Sequence, residues 1–468
     1  MKRLFLIVAA VFYLLGGAEG LSFGATYYVA KNGSGNADGS RAHPWANFSQ
    51  AVDNLKPGDA LIIKDGVYFQ PLFINVSGEP GRPITVKAEN DGKVIIDGRG
   101  LQAPCRVEGT KQKRVADVEL SGLQCRNSNI DVVRVHFADR IVVSRVSAYG
   151  ASPGISDNAV FDLAGASHVT IKDCAASGRG RVLYNAQSCD YVIFRRCWGK
   201  WMDFPLDIWL AALQIYGTSH SIVENCVFTT NSKRDVTGIT VIKQTYNEAA
   251  DDNRIYGNVI DGFKMYGIIT ASYGKRPLSG NIFKDNVIVG STYGFGLRTG
   301  GTVENSTFID ASSCSFCVSK SDPGLPLYGR LKGSSLYKGN TGINLQNADS
   351  FKESENNLFG FVNYYRGLPG GRADTADAVR YALANYGKGA YLIPAVLSRK
   401  AGQTTGAQVL YRYESGVLTN VPLWPWPMEE RIKREAGCSV TWENGGGLWK
   451  TLDKLYPSAA GRKAHAGN

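Results

Sequence analysis

Between residues 203 and 298 the sequence gathers the side chains best suited to chemistry. They are Lys243, Lys275, Arg276 and Arg298, the carboxylates Asp203, Asp207, Asp235, Asp251 and Asp252, and a run of tyrosines. A lysine or arginine can take the proton beside a sugar carboxylate when a second cation neutralises that carboxylate and so acidifies the proton. Lys243 closes the segment GITVIK, and Arg298 stands in GFGLRTG, where it faces outward if Phe295 and Leu297 face in. These two are the expected catalytic residues, with Lys275 and Arg276 as binding cations. Two aspartates facing each other across a cleft would instead suit hydrolysis. Tyr216, Tyr246 and Tyr273 are expected to stack on sugar rings, within a wider aromatic set (Trp198, Trp201, Trp209, Tyr266, Tyr293) of which half or more could fill core. The plain alternative for all of them is a solvated face.

A repeat must position these residues. From about residue 117 the segments VELSGLQC, IVVSRVSA, VTIKDCAA, VIFRRCWG, IVENCVF, RIYGNVI, NIFKDNVI and TVENSTF recur about every 26 residues. Two to three short strands per unit, and 54 glycines without a collagen period, predict an all-β solenoid of stacked coils. Asn225, Asn258, Asn286 and Asn305 should stack in one column, with Asp173 one place earlier in it. Beside them Cys174, Cys197 and Cys226 should stack inside as small hydrophobes.

The ends differ from the repeat. Lys2 and Arg3 precede an apolar run, Leu4 to Leu15, too short to span a bilayer, so residues 1–20 read as a secretory signal peptide, cleaved after Gly20 or as late as Gly24. No later segment is apolar enough to span a membrane, and the protein is expected to be secreted, periplasmic or at the cell surface. Residues 26–98 form an N-terminal cap and first coils, with a helix over Phe48 to Leu55 and Asn47 as its N-cap. The solenoid is expected over 99–345 and a C-terminal capping region over 346–456. That region should hold a helix at 374–386, a hairpin around Glu414-Ser415-Gly416 and a helix from Met428 to Glu435, with aromatics covering the last coil. Residues 457–468 read as disordered.

Charge separates fewer possibilities than its total suggests. The chain has 52 basic and 41 acidic residues, net +11, which alone would favour a polyanion. Residues 117–310, however, carry 19 basic and 19 acidic side chains. The excess therefore sits on the ends and does not argue for an acidic ligand. A composition 44% hydrophobic and 20% charged excludes a disordered chain.

Residues 27–98 (YYVAKNGSGNADGSRAHPWANFSQAVDNLKPGDALIIKDGVY through PITVKAENDGKVIIDG) resemble the N-terminal cap and first coils of secreted right-handed parallel β-helix proteins of the pectin-lyase-like superfamily. The resemblance covers most of the chain. It implies a right-handed parallel β-helix with an N-terminal cap helix and a mixed α/β C-terminal tail. It also implies a polysaccharide partner, with no nucleic acid and no membrane span, for a monomeric protein. In this fold a Ca2+ ion held by carboxylates often supplies the cation, which makes Asp203, Asp207 and Asp235 the candidate metal ligands. Lys243 is similar in context to the catalytic lysine of one pectate-lyase family, although the matching acidic residue of the strand is missing. The NTD and GHG motifs of polygalacturonase-type hydrolases are absent, and Arg431-Ile432-Lys433 falls in the tail helix. The DPHD of alginate epimerases is absent too. The expected function is engagement of a polysaccharide, with β-elimination on uronate glycans as its activity. The alternatives are a non-catalytic carbohydrate-binding scaffold and, third, a glycoside hydrolase.

Cys314-Ser315-Phe316-Cys317 suits a local disulfide better than zinc, and Cys105 could pair with Cys125. His168 and His220 sit at matching turn positions and read as structural.

Overall fold

The computed structural model describes residues 24–151, 158–202, 209–230, 232–243, 248–273, 276–319, 327–332, 334–337, 341–346, 350–353, 358–360, 411–423, 425–438 and 440. The proposed signal peptide, the helix expected at 374–386 and the residues 457–468 lie outside them.

Short strands alternate inward apolar and outward polar residues, and each is too narrow to bury a core alone. In Ser167–Lys172, Val169 and Ile171 are fully buried while Thr170 and Lys172 are half-buried. Stacking such strands in register makes the core continuous. Val143, Ile171, Phe194, Val223, Ile255, Phe283 and Val303 are successive register partners, and all are buried. Each contributes about 1.5–3 kcal/mol by leaving water. Three parallel sheets result, with 13, 12 and 11 strands. The chain visits the first, second and third in turn on each coil of a right-handed parallel β-helix. A helix, Phe48–Asn54, caps the start with Phe48, Ala51 and Val52 buried. Asn47 stands at its N-cap but makes no side-chain capping bond. The coils continue past the expected end at residue 345, through strands Ser350–Glu353 and Leu358–Gly360.

The turns from first to second sheet explain why the expected asparagine column is out of register. Along most of the solenoid each is two residues long. The first residue takes a positive φ, as in Asp173 (52°), Asn225 (56°), Gly257 (62°), Asp285 (55°) and Asn305 (47°). The second points inward. Register places Cys174, Cys197 and Cys226 in that inward column, as expected, but Asn258 and Asn286 continue it. Asn225 and Asn305 belong to the outer column instead. Sequence similarity aligned the asparagines, whereas the turns align Asn225-Cys226 with Gly257-Asn258, a one-place slip that changes which side chain enters the core. Asn258 Nδ2 bonds Asn286 Oδ1 at 3.0 Å, and Asn258 Oδ1 accepts from the Cys226 amide at 2.9 Å. The inward cysteines are inert: burial pushes Cys174 up to about 12. Cys314 and Cys317 form the expected disulfide, but Cys105 and Cys125 are free buried thiols.

Connections at the two edges of the third sheet are long and variable, including 150–158 and 202–209 before its strands and 244–253 and 273–281 after them. The described part of the C-terminal tail lies elsewhere. Instead of covering the last coil, it packs along the side of the middle coils. Trp426, Met428 and Ile432 bury against Ala175 and Trp198 of the second sheet. The hairpin Tyr411–Glu414 and Val417–Pro422 clamps the first turn, with Tyr413 exchanging two hydrogen bonds with Asn225. Arg431, from the segment RIK, is an anchor. It is buried beneath the helix Glu429–Ala436 and bonds Glu435, Asp91 and the carbonyls of Arg145 and Leu123.

Candidate active site

Register on the third sheet assigns its outward columns. Arg106, Arg134, Asp162, Asn185, Gln214, Thr240, Ile269 and Gly296 follow one another from coil to coil. Glu108 and His136 begin the adjacent column. The strands Val133–His136 and Ala159–Ala164 are apolar on their inner faces, through Val133, Val135, Phe161 and Leu163. Their polar residues therefore meet on the outside, and with Asp131, just ahead of the first strand, they form a buried ionisable cluster.

Its hydrogen bonds fix the protonation pattern. His136 Nε2 lies 2.6 Å from Asp162 Oδ2, and Arg134 approaches His136 Nδ1 at 3.0 Å. Arginine can only donate, so Nδ1 accepts and the imidazole is neutral, its proton on Nε2 and directed at Asp162. Asp162 Oδ1 accepts from Asn185 at 2.7 Å, and Asp131 Oδ1 accepts from the Ala159 amide at 2.7 Å. Burial and the neighbouring charge of Asp162 push Asp131 up to about 7, although the Ala159 amide and Arg134 pull it down. Arg134 and Arg106 hold Glu108 only loosely, at 3.9 and 3.8 Å. Several buried atoms of the cluster have no hydrogen-bond partner: Arg106 Nε, Arg134 Nε, Glu108 Oε2, Asn158 Nδ2 and Asn185 Oδ1. A polar ligand would satisfy donors and acceptors alike.

One ligand atom from each of Asp131, His136 and Asp162 lies within 4.8 Å of the others, making an acidic and histidine group of the kind that can hold a metal. The donor set does not fit Ca2+. That ion takes 6–8 oxygen ligands. Here one donor is an imidazole, each carboxylate already accepts a hydrogen bond, and the Arg134 guanidinium sits among them.

The residues singled out from sequence lie farther along the same sheet. Lys243 is fully buried at the end of strand Val236–Lys243, and its ammonium has no hydrogen-bond partner. Burial lowers its pKa, and Arg276 lowers it further, against Asp251 and Glu248. No part of Lys243 reaches the surface. Arg276 is ion-paired with Asp251. Arg298 does face outward, with Phe295 and Leu297 buried, and donates to the Tyr266 hydroxyl at 3.1 Å. Tyr216 is half-buried in the outward column of Gln187 and Ile242, and Tyr273 is half exposed beyond its strand. Asp235 is exposed just before the strand that Lys243 ends, so about 25 Å of extended chain separates the two and they form no common site. Trp198 and Trp201 are buried, Trp198 within the tail interface. Tyr246, Lys275, Asp203 and Asp207 lie outside the described residues.

The Asp131–His136–Asp162 cluster escaped the sequence reading, although it left a signal. In DVVRVH, ionisable residues alternate with valines inside a strand that could have been wholly apolar. Asp162 joins only when the coil register is known, since Arg134 pairs with it across an intervening turn.

Parts of the chain resemble known proteins. Residues 44–113 match the model of chondroitinase B, and residues 163–331 match that of the right-handed β-helix region. Pectate lyase L of Dickeya dadantii (strain 3937) is 35% identical over 87 residues, 17% of this chain and 20% of that protein. The uncharacterized protein YwoF of Bacillus subtilis (strain 168) is 26% identical over 104 residues, 22% of each chain. The matches thus span about a fifth of the length of these relatives. Among solved structures, pectate lyase Pel9A aligns with a TM-score of 0.47 at 15% identity, over 72% of this chain and 80% of that one. The A-module of the mannuronan C-5 epimerase AlgE4 of Azotobacter vinelandii aligns with a TM-score of 0.49 at 14% identity, over 67% and 90%. With its three parallel sheets stacked coil on coil and the match over its central coils, the chain is a right-handed parallel β-helix protein.

Proposed function

We propose that this is an exported protein that binds an acidic polysaccharide along the outer face of the third sheet and cleaves it by β-elimination at the Asp131–His136–Asp162 cluster. The observation that carries the reading is the contact of Arg134 with His136 Nδ1, which joins a carboxylate-binding cation to a latent base. In the free protein Arg134 covers the lone pair of Nδ1. A uronate carboxylate, with Arg106 at its other side, draws the Arg134 guanidinium to itself, neutralises its own charge and so acidifies the proton at C5. Nδ1, now uncovered, takes that proton, and Asp162 stabilises the imidazolium through Nε2. The C5 electron pair forms the C4–C5 double bond as the C4–O4 bond breaks, and the protonated Asp131 carboxyl delivers its proton to the departing O4. Proton exchange with solvent restores both groups.

No step is routed through Ca2+. Appearance of the unsaturated uronate product from a panel of acidic polysaccharides, with and without chelator, tests the reading. Glycan binding without any product would favour the non-catalytic scaffold.

A further inference from the structure

We propose that Arg298 is a second carboxylate-binding position on the same face, built to hold a uronate unit of the polymer several sugars away from the reacting one. This rests on the elimination reading only for the identity of the polymer.

The position is constructed rather than incidental. Arg298 lies six coils beyond Arg134 on the third sheet, about 29 Å at the spacing of adjacent strands. Its guanidinium sits 5.5 Å from the centre of the Tyr266 ring and donates to the hydroxyl of that ring at 3.1 Å. Tyr266 in turn stacks on Tyr293 with centroids 4.8 Å apart. The ring has room to lie across the face because residue 296 is glycine: a Cβ there would stand 2.6 Å from Tyr266 Cε1. Gly296 therefore seats Tyr266, and Tyr266 orients Arg298. Among the described residues no carboxylate pairs with Arg298, which is half-buried and held in place by Tyr266.

An anionic sugar is the ligand this arrangement fits. A guanidinium fork binds a carboxylate through two hydrogen bonds, and the aromatic pair beside it offers an apolar surface to a sugar ring. The column of Arg134 runs through Asn185, Gln214, Thr240 and Ile269 to Gly296, beside the column of Arg298, and Asn185 Oδ1 in it is a polar atom without a partner. A hydroxyl of an intervening chain would satisfy it. Cations about 29 Å apart on one face select a polymer that carries carboxylates on units far apart, a polyuronate, over a single terminal uronate.

Calorimetric titration of the full chain tests this, in an Asp131→Asn background so that binding is read whether or not the ligand is turned over. The probes are oligogalacturonate and oligomannuronate, each as a trimer and as a chain long enough to span both cations. Arg298→Met should weaken binding of the long chain about tenfold or more and leave the trimer unchanged. Arg298→Lys should recover part of the loss. Gly296→Ala, which displaces Tyr266 but keeps the charge, should reproduce most of it with an unaltered melting temperature. Equal affinity of Arg298→Met and its parent for the long chain would overturn the proposal, as would an equal loss for trimer and long chain, or no binding of either probe. Long-chain binding that depends on Arg298, with no elimination of the same chain by the wild-type protein, would uphold it and remove the elimination reading alone.

Discussion

Arg134 donates to Nδ1 of His136 at 3.0 Å, and so occupies the lone pair that a base would use. One residue thereby suppresses the base in the free protein and recruits it when a carboxylate arrives. Arg134→Met should lower kcat/KM for a uronate polymer by about a hundredfold or more, because transition-state charge loses its cation. Arg134→Lys should rescue little, since lysine lacks the planar fork that bridges carboxylate and imidazole. Steady-state kinetics of the two variants check this.

Asp131 is the predicted proton donor, pushed up to about 7 by burial and by Asp162. The acid form is needed, so the rate should fall about tenfold per unit as pH rises through about 7. Asp131→Asn should abolish turnover, leaving no alkaline limb of this origin. The same shift acts on folding. A carboxyl whose pKa is raised in the folded state stabilises it most below its unfolded pKa and loses that contribution as pH rises through about 7. Asp131→Asn should therefore flatten the decline in melting temperature between pH 4 and pH 8.

Lys243 gives a prediction that separates this site from the one expected from sequence. Its buried ammonium has no partner, and burial disfavours its charged form. Lys243→Met should leave elimination within about twofold and raise stability by about 1 kcal/mol or more, measured by denaturant unfolding. Loss of turnover in a folded, stabilised Lys243→Met protein would return the base to Lys243.

The tail should behave as a strap along the side of the solenoid. Arg431 is buried with Glu435, and removing one partner of a buried ion pair costs about 3–5 kcal/mol. Arg431→Ala should therefore release the helix Glu429–Ala436 before the coils unfold. Hydrogen exchange would show early loss of protection at 429–436 with the core amides unchanged.

The fold was legible because its signal is periodic. Segments such as VTIKDCAA repeat the same in–out alternation, and each repeat reinforces the others. The inward cysteine column followed. What sequence could not supply was register. Asn225 and Asn258 look equivalent in IVENCVF and RIYGNVI, yet the turns place them in different columns. The site failed to appear for the same reason. Asp131, His136 and Asp162 lie on two coils, and only the pairing of Arg134 with Asp162 brings them together. Lys243 drew notice by its local context, which does not reveal that its side chain is enclosed. Arg298 was read correctly as outward because Phe295 and Leu297 on either side of Gly296 fixed the alternation.

The most direct test of the central claim is the ultraviolet absorbance of the unsaturated uronate formed from de-esterified pectate, alginate and glycosaminoglycans, followed with wild type, His136→Ala and Lys243→Met. The account predicts product from at least one polymer, insensitive to chelator, lost in His136→Ala and retained in Lys243→Met. Product that survives His136→Ala in a folded protein, or no product from any acidic polymer, would contradict it.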